Sequence, residues 1–259
     1  MTREVVYGRR AVREALRGPR EVLEVWASER ALKAEPWLEG VRPRVRAERD
    51  LTAAAGTQWL DGVRPRVKAE RDLTAAAGTQ DHQGVVAWCE PYRYADAYEL
   101  AAEPEPLLAC LDSVTDPHNL GAICRSADGA GATGVILPAH NSARVTPAVC
   151  RASAGAVEHV RIAVVKNLAR FLGEAKAPRL WVWAAAGDAE KDMWHADLTG
   201  GVALVFGAEG RGLRPLVRRT CDDAVAIPLA GKIESLNVSV AAALLLYEAR
   251  RQRTATAEA

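Results

Sequence analysis

The stretch that decides the fold runs from Ile227 to Arg251 and reads IPLAGKIESLNVSVAAALLLYEARR. It starts at the end of an apolar strand, which Pro228 terminates, and continues through a polar loop. Ser235 and Asn237 both suit the N-cap of a helix, so a helix is predicted to begin near one of them. Small and apolar residues then wrap most of the way round this helix. The pattern therefore predicts a helix that is buried or lies at a subunit interface.

Upstream, the loop FGAEGRGL spans Phe206 to Leu213 and follows another apolar strand. Its three glycines let the backbone turn tightly or approach a ligand closely. The acidic Glu209 in the middle would repel a phosphate, and the G-K-[ST] signature of a P-loop is missing from it. The loop therefore favours a zwitterionic or cationic ligand.

A third segment, DPHNLGAICR, spans Asp116 to Arg125 and also lies between a strand and a helix. Asn119 could cap that helix, and Arg125 would then lie nearly two turns inside it. Alone, the spacing N-x-G-x-x-x-R is weak evidence, since asparagine and glycine are also frequent in ordinary loops.

His82 and His118 flank loops and are interpreted as loop or capping residues, and the tryptophans Trp181, Trp183 and Trp194 as core residues.

All three segments lie at the ends of short apolar runs that alternate with stretches of helix length. The predicted strands are Leu107–Val114, Gly134–Leu137, Arg161–Val165, Leu180–Ala185, Val202–Phe206 and Ala224–Leu229. Such alternation predicts an α/β domain with a largely parallel sheet covered on both faces. A ligand site is expected at the carboxyl ends of its strands.

The N-terminal part predicts a small α/β domain over residues 1–89, with a helix over Val5–Leu16 and strands over Val22–Ala27 and Gly84–Trp88. The acidic, proline-punctuated segment 90–106 is interpreted as a linker, which leaves 107–259 for the larger domain.

A tandem duplication lies inside the small domain, where 41–62 is repeated as 63–84. Over the first 18 residues of each copy the only difference is Arg46 against Lys68. Each copy predicts a short strand and a short helix. The second copy runs directly into DHQGVVAW and is favoured as the structural one, the first as an insertion.

Composition sets wider limits. The 259 residues are 49% hydrophobic and 26% charged, which is typical of a globular protein. The first residues have no apolar core of a signal peptide and the longest apolar stretch is too short for a membrane span, so a soluble, cytoplasmic protein is expected.

The five cysteines show no C-x-x-C spacing and are expected to be free and mostly buried, with no metal site. Net charge is only +1, so contact with nucleic acid would need local patches.

Together the three segments resemble the SpoU (TrmH) family of RNA 2′-O-ribose methyltransferases. The family motifs are N-x-G-x-x-x-R, F-G-x-E-G-x-G-L and a terminal I-P-x-x-x-x-x-x-S-L-N-V-S-V-A, and all three match in order within residues 119–242. The resemblance implies an S-adenosyl-L-methionine-binding, Rossmann-like domain with a trefoil knot, and a homodimer through the knotted region. YGRRAVREAL and HQGVVA look like the ribosomal-protein-like RNA-binding domain of the branch that methylates large-subunit ribosomal RNA.

The resemblance also implies the site residues. Cofactor contacts would fall on Gly207, Ile227 and Leu236, mainly through backbone. The catalytic polar set would be Asn119, Arg125, Glu209, Ser235 and Asn237. For RNA contact the basic cluster Arg9, Arg10 and Arg13, extended by Arg17 and Arg20, is the first candidate. The family mechanism gives proton acceptance to the arginine, here Arg125, yet a guanidinium pKa lies above ~12. Binding of phosphate and of the developing alkoxide is therefore the preferred role, with proton acceptance as the second.

The predicted function is therefore methyl transfer to a ribose 2′-hydroxyl of RNA, with a guanosine of 23S ribosomal RNA as the favoured substrate. Transfer RNA is the alternative substrate, although family members that modify it usually lack the N-terminal extension. A catalytically silent RNA-binding module is a second alternative, against which the complete polar set argues. A nicotinamide-dependent dehydrogenase is disfavoured because no G-x-G-x-x-G follows the first strand.

Overall fold

The computed structural model describes residues 2–38, 64–176 and 180–257 and divides the chain into two compact units, Met1–Arg93 and Tyr94–Ala259. The boundary falls inside the predicted linker 90–106. That segment also contains a short helix, Ala97–Ala101, whose Leu100 is buried. The helix begins where the side chain of Asp96 accepts hydrogen bonds from the backbone N–H groups of Tyr98 and Glu99. Acidic and proline residues on either side concealed this single helical turn in the sequence.

The first unit is a small mixed β-sheet packed against helices. Its elements are β1 (Glu4–Tyr7), α1 (Arg9–Arg17), β2 (Val22–Ala27), α2 (Glu29–Ala34), β3 (Arg66–Val67), α3 (Glu70–Ala77) and β4 (Val85–Cys89). The strand order is β1-β4-β2-β3; among these described strands β2 and β3 pair in parallel, and the other pairs are antiparallel. The core between sheet and helices contains the fully buried Val6, Val12, Val25 and Leu73.

One prediction in this unit is wrong at its start. Val5 and Val6 belong to β1, and the helix predicted from Val5 begins only at Arg9. Gly8, with φ 95°, separates the two elements in a conformation that other residues rarely adopt. Two apolar residues that fit a helical period by spacing alone therefore pair with β4 instead. The predicted strand Val22–Ala27 is confirmed.

The duplication is described only in its second copy, which supplies β3 and α3. The first copy lies outside the described residues. A contact specific to the second copy is made by His82, which is buried: its Nε2 lies 3.0 Å from Oγ1 of Thr74, and its Nδ1 accepts a hydrogen bond from the backbone N–H of Gly84 at 3.0 Å. At the equivalent position the first copy has Leu60.

Deleting 41–62 is expected to leave a folded, active protein, because β3, α3 and the His82 contacts remain. Changing the length of a surface connection costs or gains on the order of 1 kcal/mol. Deleting 63–84 instead is the matched control, since it retains an almost identical sequence in the first copy but loses His82. That deletion should lower the melting temperature clearly, as lost buried hydrogen bonds cost about 1–3 kcal/mol. Equal destabilisation by both deletions in thermal denaturation would show that both copies are needed.

The second unit is an α/β layer structure around a parallel sheet. Its elements are α4 (Ala97–Ala101), β5 (Leu107–Asp112), α5 (Pro117–Ala130), β6 (Gly134–Pro138), α6 (Pro147–Ala152), β7 (Ile162–Val165), α7 (Leu168–Ala175), β8 (Leu180–Ala185), β9 (Lys191–Asp192), β10 (Gly201–Gly207), α8 (Pro215–Thr220), β11 (Asp223–Ala226) and α9 (Val238–Ala257). The strand order is β7-β6-β5-β10-β8-β11-β9, with every pair parallel. The predicted parallel sheet is thus confirmed.

Helices cover both faces of this sheet. Residues of α4, α7 and α8 share one core with alternate strand residues such as Leu108 and Val205. Because successive strand residues face opposite sides, the equally buried Leu204 points to the other face, where α9 packs on β5, β10 and α5. None of the helices in the described ranges is long and apolar enough to cross a membrane. The trefoil knot stays a prediction.

The order of the strands places the site. From β5 the chain proceeds outward to β6 and β7, then crosses to β8 on the far side of β10. The two neighbouring strands at this reversal, β5 and β10, end in register, with Asp112 opposite Gly207. Crevices at such a reversal, beyond the carboxyl ends of the strands, are where open α/β sheets bind ligands.

Candidate active site

The glycine loop after β10 folds back on itself at Gly207. A side-chain carbon added at Gly207 would lie 2.2 Å from the carbonyl carbon of Gly212 and 2.5 Å from the backbone nitrogen of Leu213. Gly210 and Gly212 have φ values of 72° and 64°, which favour glycine. The sequence FGAEGRGL therefore forms a compact loop, and Glu209 projects from its middle.

Two polar side chains from separate segments meet at Glu209. Its Oε1 accepts a hydrogen bond from Nδ2 of Asn119 at 3.0 Å and another from Nδ2 of Asn237. The same Nδ2 of Asn237 lies 3.0 Å from Oδ1 of Asn119. Asn119 lies in α5, Glu209 lies in the glycine loop, and Asn237 immediately precedes α9. The three sequence motifs thus converge on one hydrogen-bond network.

Helix capping explains the position of Asn237, whereas the predicted cap at Asn119 is wrong. Oδ1 of Asn237 accepts a hydrogen bond from the backbone N–H of Ser239 at 2.8 Å. The side chain of Asn237 therefore both caps α9 and takes part in the network with Glu209. Asn119, by contrast, does not cap α5. That helix is capped by Asp116, which accepts from the backbone N–H of His118 at 2.9 Å, with Pro117 in the first turn. Asn119 lies inside the helix, which frees its amide for Glu209.

A cavity of about 820 Å³ lies on one side of the glycine loop. Gly207, Ile227 and Leu236, the predicted cofactor contacts, all line it. Glu209, Ser235 and Asn237 line it as well. Its walls combine apolar side chains from β10, β11 and α9 with loop backbone, and two further carboxylates, Asp188 and Glu234, reach it.

A second cavity, of about 720 Å³, lies on the other side of the same loop. Asn119 and Arg214 line only this second cavity, whereas Glu209, Arg211 and Leu213 line both. Ser113 and Asn141, which also border it, have φ values of 66° and 54°. Non-glycine residues held in this region are strained and are frequent at functional sites. One loop therefore forms the wall between two adjacent binding spaces.

Arg125 is the predicted catalytic residue that borders neither cavity. It is exposed on α5, and among the described residues nothing forms a hydrogen bond or an ion pair with it. Six residues along the helix, its side chain points about 120° away from that of Asn119. On α5 Arg125 lies one turn from Gly129, where an added side-chain carbon would be 2.6 Å from Oη of Tyr247. Arg125 is thus on the side of α5 that adjoins α9.

Other candidates have structural roles. The interpretation of His82 as a loop residue agrees with its contacts, and His118 is exposed in the first turn of α5. Trp183 is buried, but the prediction that Trp181 and Trp194 pack in the core is wrong, since they are 51% and 61% exposed. Trp181 lies on a solvent-facing position of β8, which its apolar neighbours did not reveal.

The cysteines are free, and four of the five are buried, as predicted. Burial raises the pKa of the Cys110 and Cys124 thiols well above the ordinary value, so neither is a nucleophile at neutral pH. Across 2–38, 64–176 and 180–257, no cluster of histidine, cysteine and acidic side chains has the arrangement to hold a metal ion.

The basic cluster of the first unit is partly neutralised. Nε of Arg9 donates to the backbone carbonyl of Gln83 at 3.1 Å, and its Nη1 lies 3.3 Å from Glu35. Arg17 pairs with Glu14, and Arg20 with Glu4. Arg10 is exposed, and neither it nor Arg13 has an ion pair within the described residues. Arg10 and Arg13 are therefore the members of the cluster that remain available to a polyanion.

Sequence reasoning missed Asp112 and Arg214. Asp112 is fully buried at the end of β5 and pairs with Arg214, which directly follows the glycine loop. A carboxylate that ends an otherwise wholly apolar strand was the available signal, because a buried charge needs a partner.

Comparison with known proteins agrees with this geometry. Residues 106–247 match the family described as SpoU rRNA Methylase, and residues 5–95 match the family described as RNA 2′-O ribose methyltransferase substrate binding. The 23S rRNA (guanosine-2′-O-)-methyltransferase RlmB of Pseudomonas putida is 40% identical over 256 residues, which cover 96% of this chain and 97% of that protein. RlmB of Ralstonia nicotianae is 50% identical over 176 residues, 67% of this chain and 71% of that protein.

Among solved structures, the AdoMet-bound rRNA methyltransferase of Sinorhizobium meliloti is similar, with a TM-score of 0.73 and 26% identity over 96% of this chain and 87% of that one. The match of one family to the unit that carries both cavities, and of the other to the N-terminal unit, follows the division seen in the structure. The chain belongs to the SpoU rRNA methylase family.

Proposed function

We propose that the protein transfers a methyl group from S-adenosyl-L-methionine to the 2′-hydroxyl of a ribose in RNA, and that its substrate is a guanosine of 23S ribosomal RNA. The observation that carries this proposal is the pair of cavities on either side of one loop, with the Asn119–Glu209–Asn237 network at their junction. Two substrates that exchange a small group need such adjacent sites. The relatives named 23S rRNA (guanosine-2′-O-)-methyltransferase support the choice of RNA.

The first cavity fits the methyl donor. Adenosylmethionine combines an apolar-faced adenine with a cationic sulfonium and an amino-acid zwitterion. Apolar walls at Ile227 and Leu236 suit the adenine, and the carboxylates of Glu209 and Glu234 suit positive charge. The backbone of Gly212 and Leu213 fills the space beside Gly207, so the glycine keeps the loop compact where it lines this cavity. The AdoMet-bound relative from Sinorhizobium meliloti supports the same assignment.

When bound, S-adenosyl-L-methionine supplies an electrophilic methyl group on sulfur. The second cavity would hold the target ribose against the shared loop, and the network of Asn119 and Asn237 would fix the carboxylate of Glu209 between the two sites. Ser235 lines the first cavity at the same junction. Arg125 borders neither cavity of its own chain, so it would bind an RNA phosphate and the developing alkoxide where a partner subunit places its site beside this arginine. A cation that keeps its proton can stabilise an oxyanion.

We further infer a homodimer through α5 and α9. Val240, Leu244 and Tyr247 are 46%, 40% and 52% exposed and follow one another at helical spacing, so they form an apolar stripe on α9. Association of two copies along this stripe would remove it from water. Because Arg125 lies on the side of α5 that adjoins α9, the same interface would bring Arg125 beside the partner subunit.

Leu244→Glu is expected to give monomers in sedimentation velocity, since a charge in an apolar interface is costly to bury. The matched control is Leu216→Glu, which changes a residue of α8 that is 56% exposed and lies outside the stripe. If Leu244→Glu sediments as the unchanged protein does, the interface is elsewhere.

The enzymatic proposal is tested with purified protein, labelled S-adenosyl-L-methionine and ribosomal RNA from a strain that lacks the gene. Label is expected at one ribose of 23S rRNA, and mapping of ribose methylation should find the same nucleotide unmodified in the deletion strain. Bulk transfer RNA serves as the competing substrate. Transfer to transfer RNA alone would replace the proposed substrate, and the absence of both transfer and cofactor binding would exclude the enzyme. With ribosomal RNA as substrate, the protein would work in the cytoplasm.

A further inference from the structure

A buried ion pair lies beneath the second cavity. The carboxylate of Asp112 has no exposed surface, and within the described parts of the chain its hydrogen bonds and its ion pair come from Arg214. Oδ2 accepts the backbone N–H of Arg214 at 2.8 Å, while Oδ1 accepts Nε at 2.7 Å and lies 2.7 Å from Nη2. A buried carboxylate held by a backbone hydrogen bond, a side-chain hydrogen bond and an ion pair from one residue fixes both the backbone and the side chain of that residue.

One edge of the Arg214 guanidinium stays open. A guanidinium has five N–H donors in a rigid plane, and Asp112 takes those on the Nε side. The donors at the far end remain, on a side chain that is 50% exposed and lines the second cavity. Since Asp112 already holds the side chain in place, a ligand at the open end would cost little further rotamer entropy.

The nearby carboxylates are engaged elsewhere. Of the acidic residues that line the second cavity, Glu209 is occupied by the amides of Asn119 and Asn237, and Asp116 caps α5. Arg211 is the other cation that lines this cavity. The open end of Arg214 therefore faces a space in which no described acidic side chain is placed as its second partner.

We propose that Arg214 binds a backbone phosphate of the substrate RNA in the second cavity, next to the ribose that is methylated. This rests on the proposed function, because the ribose must lie in the same cavity. Phosphate is favoured because its oxygens match the forked N–H groups at the end of a guanidinium. The edge of a guanine base also accepts two hydrogen bonds from a guanidinium, and the experiment below distinguishes this contact from a phosphate contact.

The test compares Arg214→Lys and Arg214→Gln with the unchanged full-length protein. Lysine retains a charge for Asp112 but lacks the second edge, so it protects the fold while it removes the proposed contact. Arg219→Lys is the matched control, because Arg219 is exposed on the adjoining helix α8 and lines neither cavity. Equilibrium binding of a 23S rRNA fragment is measured by fluorescence anisotropy over a salt series, cofactor affinity by calorimetry, and folding by thermal denaturation.

Arg214→Lys is expected to weaken RNA binding by about tenfold at unchanged cofactor affinity, the effect of losing a charge-assisted contact. The slope of log affinity against log salt should fall by about 0.7–0.9, one phosphate contact. Arg214→Gln should change the slope equally, and Arg219→Lys should change neither quantity. Unaltered affinity and slope in Arg214→Lys would overturn the proposal, as would weaker binding at an unaltered slope with relaxed preference for guanosine. Because RNA binding is measured without turnover, failure of methyl transfer is a separate result.

Discussion

Arg125→Ala is expected to lower methyl transfer by a factor on the order of 10² to 10³ while S-adenosyl-L-methionine binds with nearly unchanged affinity. Arg125 borders neither cavity and has no partner among the described residues, so its removal leaves the cofactor contacts at Gly207, Ile227 and Leu236 intact. Loss of one transition-state contact of ~3 to 4 kcal/mol lowers turnover on the order of 10² to 10³. Single-turnover kinetics with the RNA substrate test the predicted loss of rate, and calorimetry with the cofactor tests the unchanged affinity.

Arg125→Lys separates charge from geometry. If charge alone stabilises the alkoxide, lysine retains most of the rate. If the planar fork must span a phosphate and a ribose oxygen, lysine behaves nearly like alanine. The control is Arg250→Lys, an exposed arginine of α9 that lines neither cavity. A near-normal rate for Arg125→Ala would remove this arginine from the mechanism and leave Glu209 as the residue to test.

Gly207→Ala is expected to reduce cofactor affinity by at least 100-fold. The added carbon would lie 2.2 Å from the carbonyl carbon of Gly212, and because that atom is backbone it cannot rotate away. The loop must open to relieve the overlap, and overpacking of this kind costs about 1–3 kcal/mol or more. Both cavities lose their common wall as it does so.

Gly173→Ala is the control for that variant. Gly173 lies within α7, where the nearest atom to an added carbon is Cγ2 of Thr220 at 3.8 Å, an ordinary contact. Alanine should stabilise the helix by roughly 0.8–1.0 kcal/mol and leave cofactor binding unchanged. Normal cofactor affinity in Gly207→Ala would mean that the loop does not form the cavity wall in solution.

The strands of the second unit could be predicted because buried parallel strands are continuous apolar runs. Leu180–Ala185 agrees with its predicted bounds, and Leu107–Val114 is only two residues too long. Periodicity failed where an element was short or its exposure was set by tertiary structure. The helix Ala97–Ala101 and the exposed Trp181 are the examples.

Several residues of the candidate site could be predicted from the sequence, but their contacts could not. Asn119, Glu209 and Asn237 were identified from motifs, yet each motif taken alone describes only a local turn or cap. Their hydrogen bonds depend on β5 and β10 being neighbours and on the segment 227–237 returning to them, which no local pattern encodes. The pairing of Asp112 with Arg214 was missed for the same reason, since 102 positions separate them in the chain.

The shared wall ties the two ligands together thermodynamically. The loop Gly207–Leu213 borders both cavities, so a ligand that narrows the range of loop conformations on one side changes the free energy of binding on the other. Such coupling is reciprocal: the factor by which bound cofactor changes RNA affinity must equal the factor by which RNA changes cofactor affinity. A loop substitution that alters this coupling therefore alters it by the same factor for both ligands, whereas the affinity of each ligand for the otherwise empty protein changes independently.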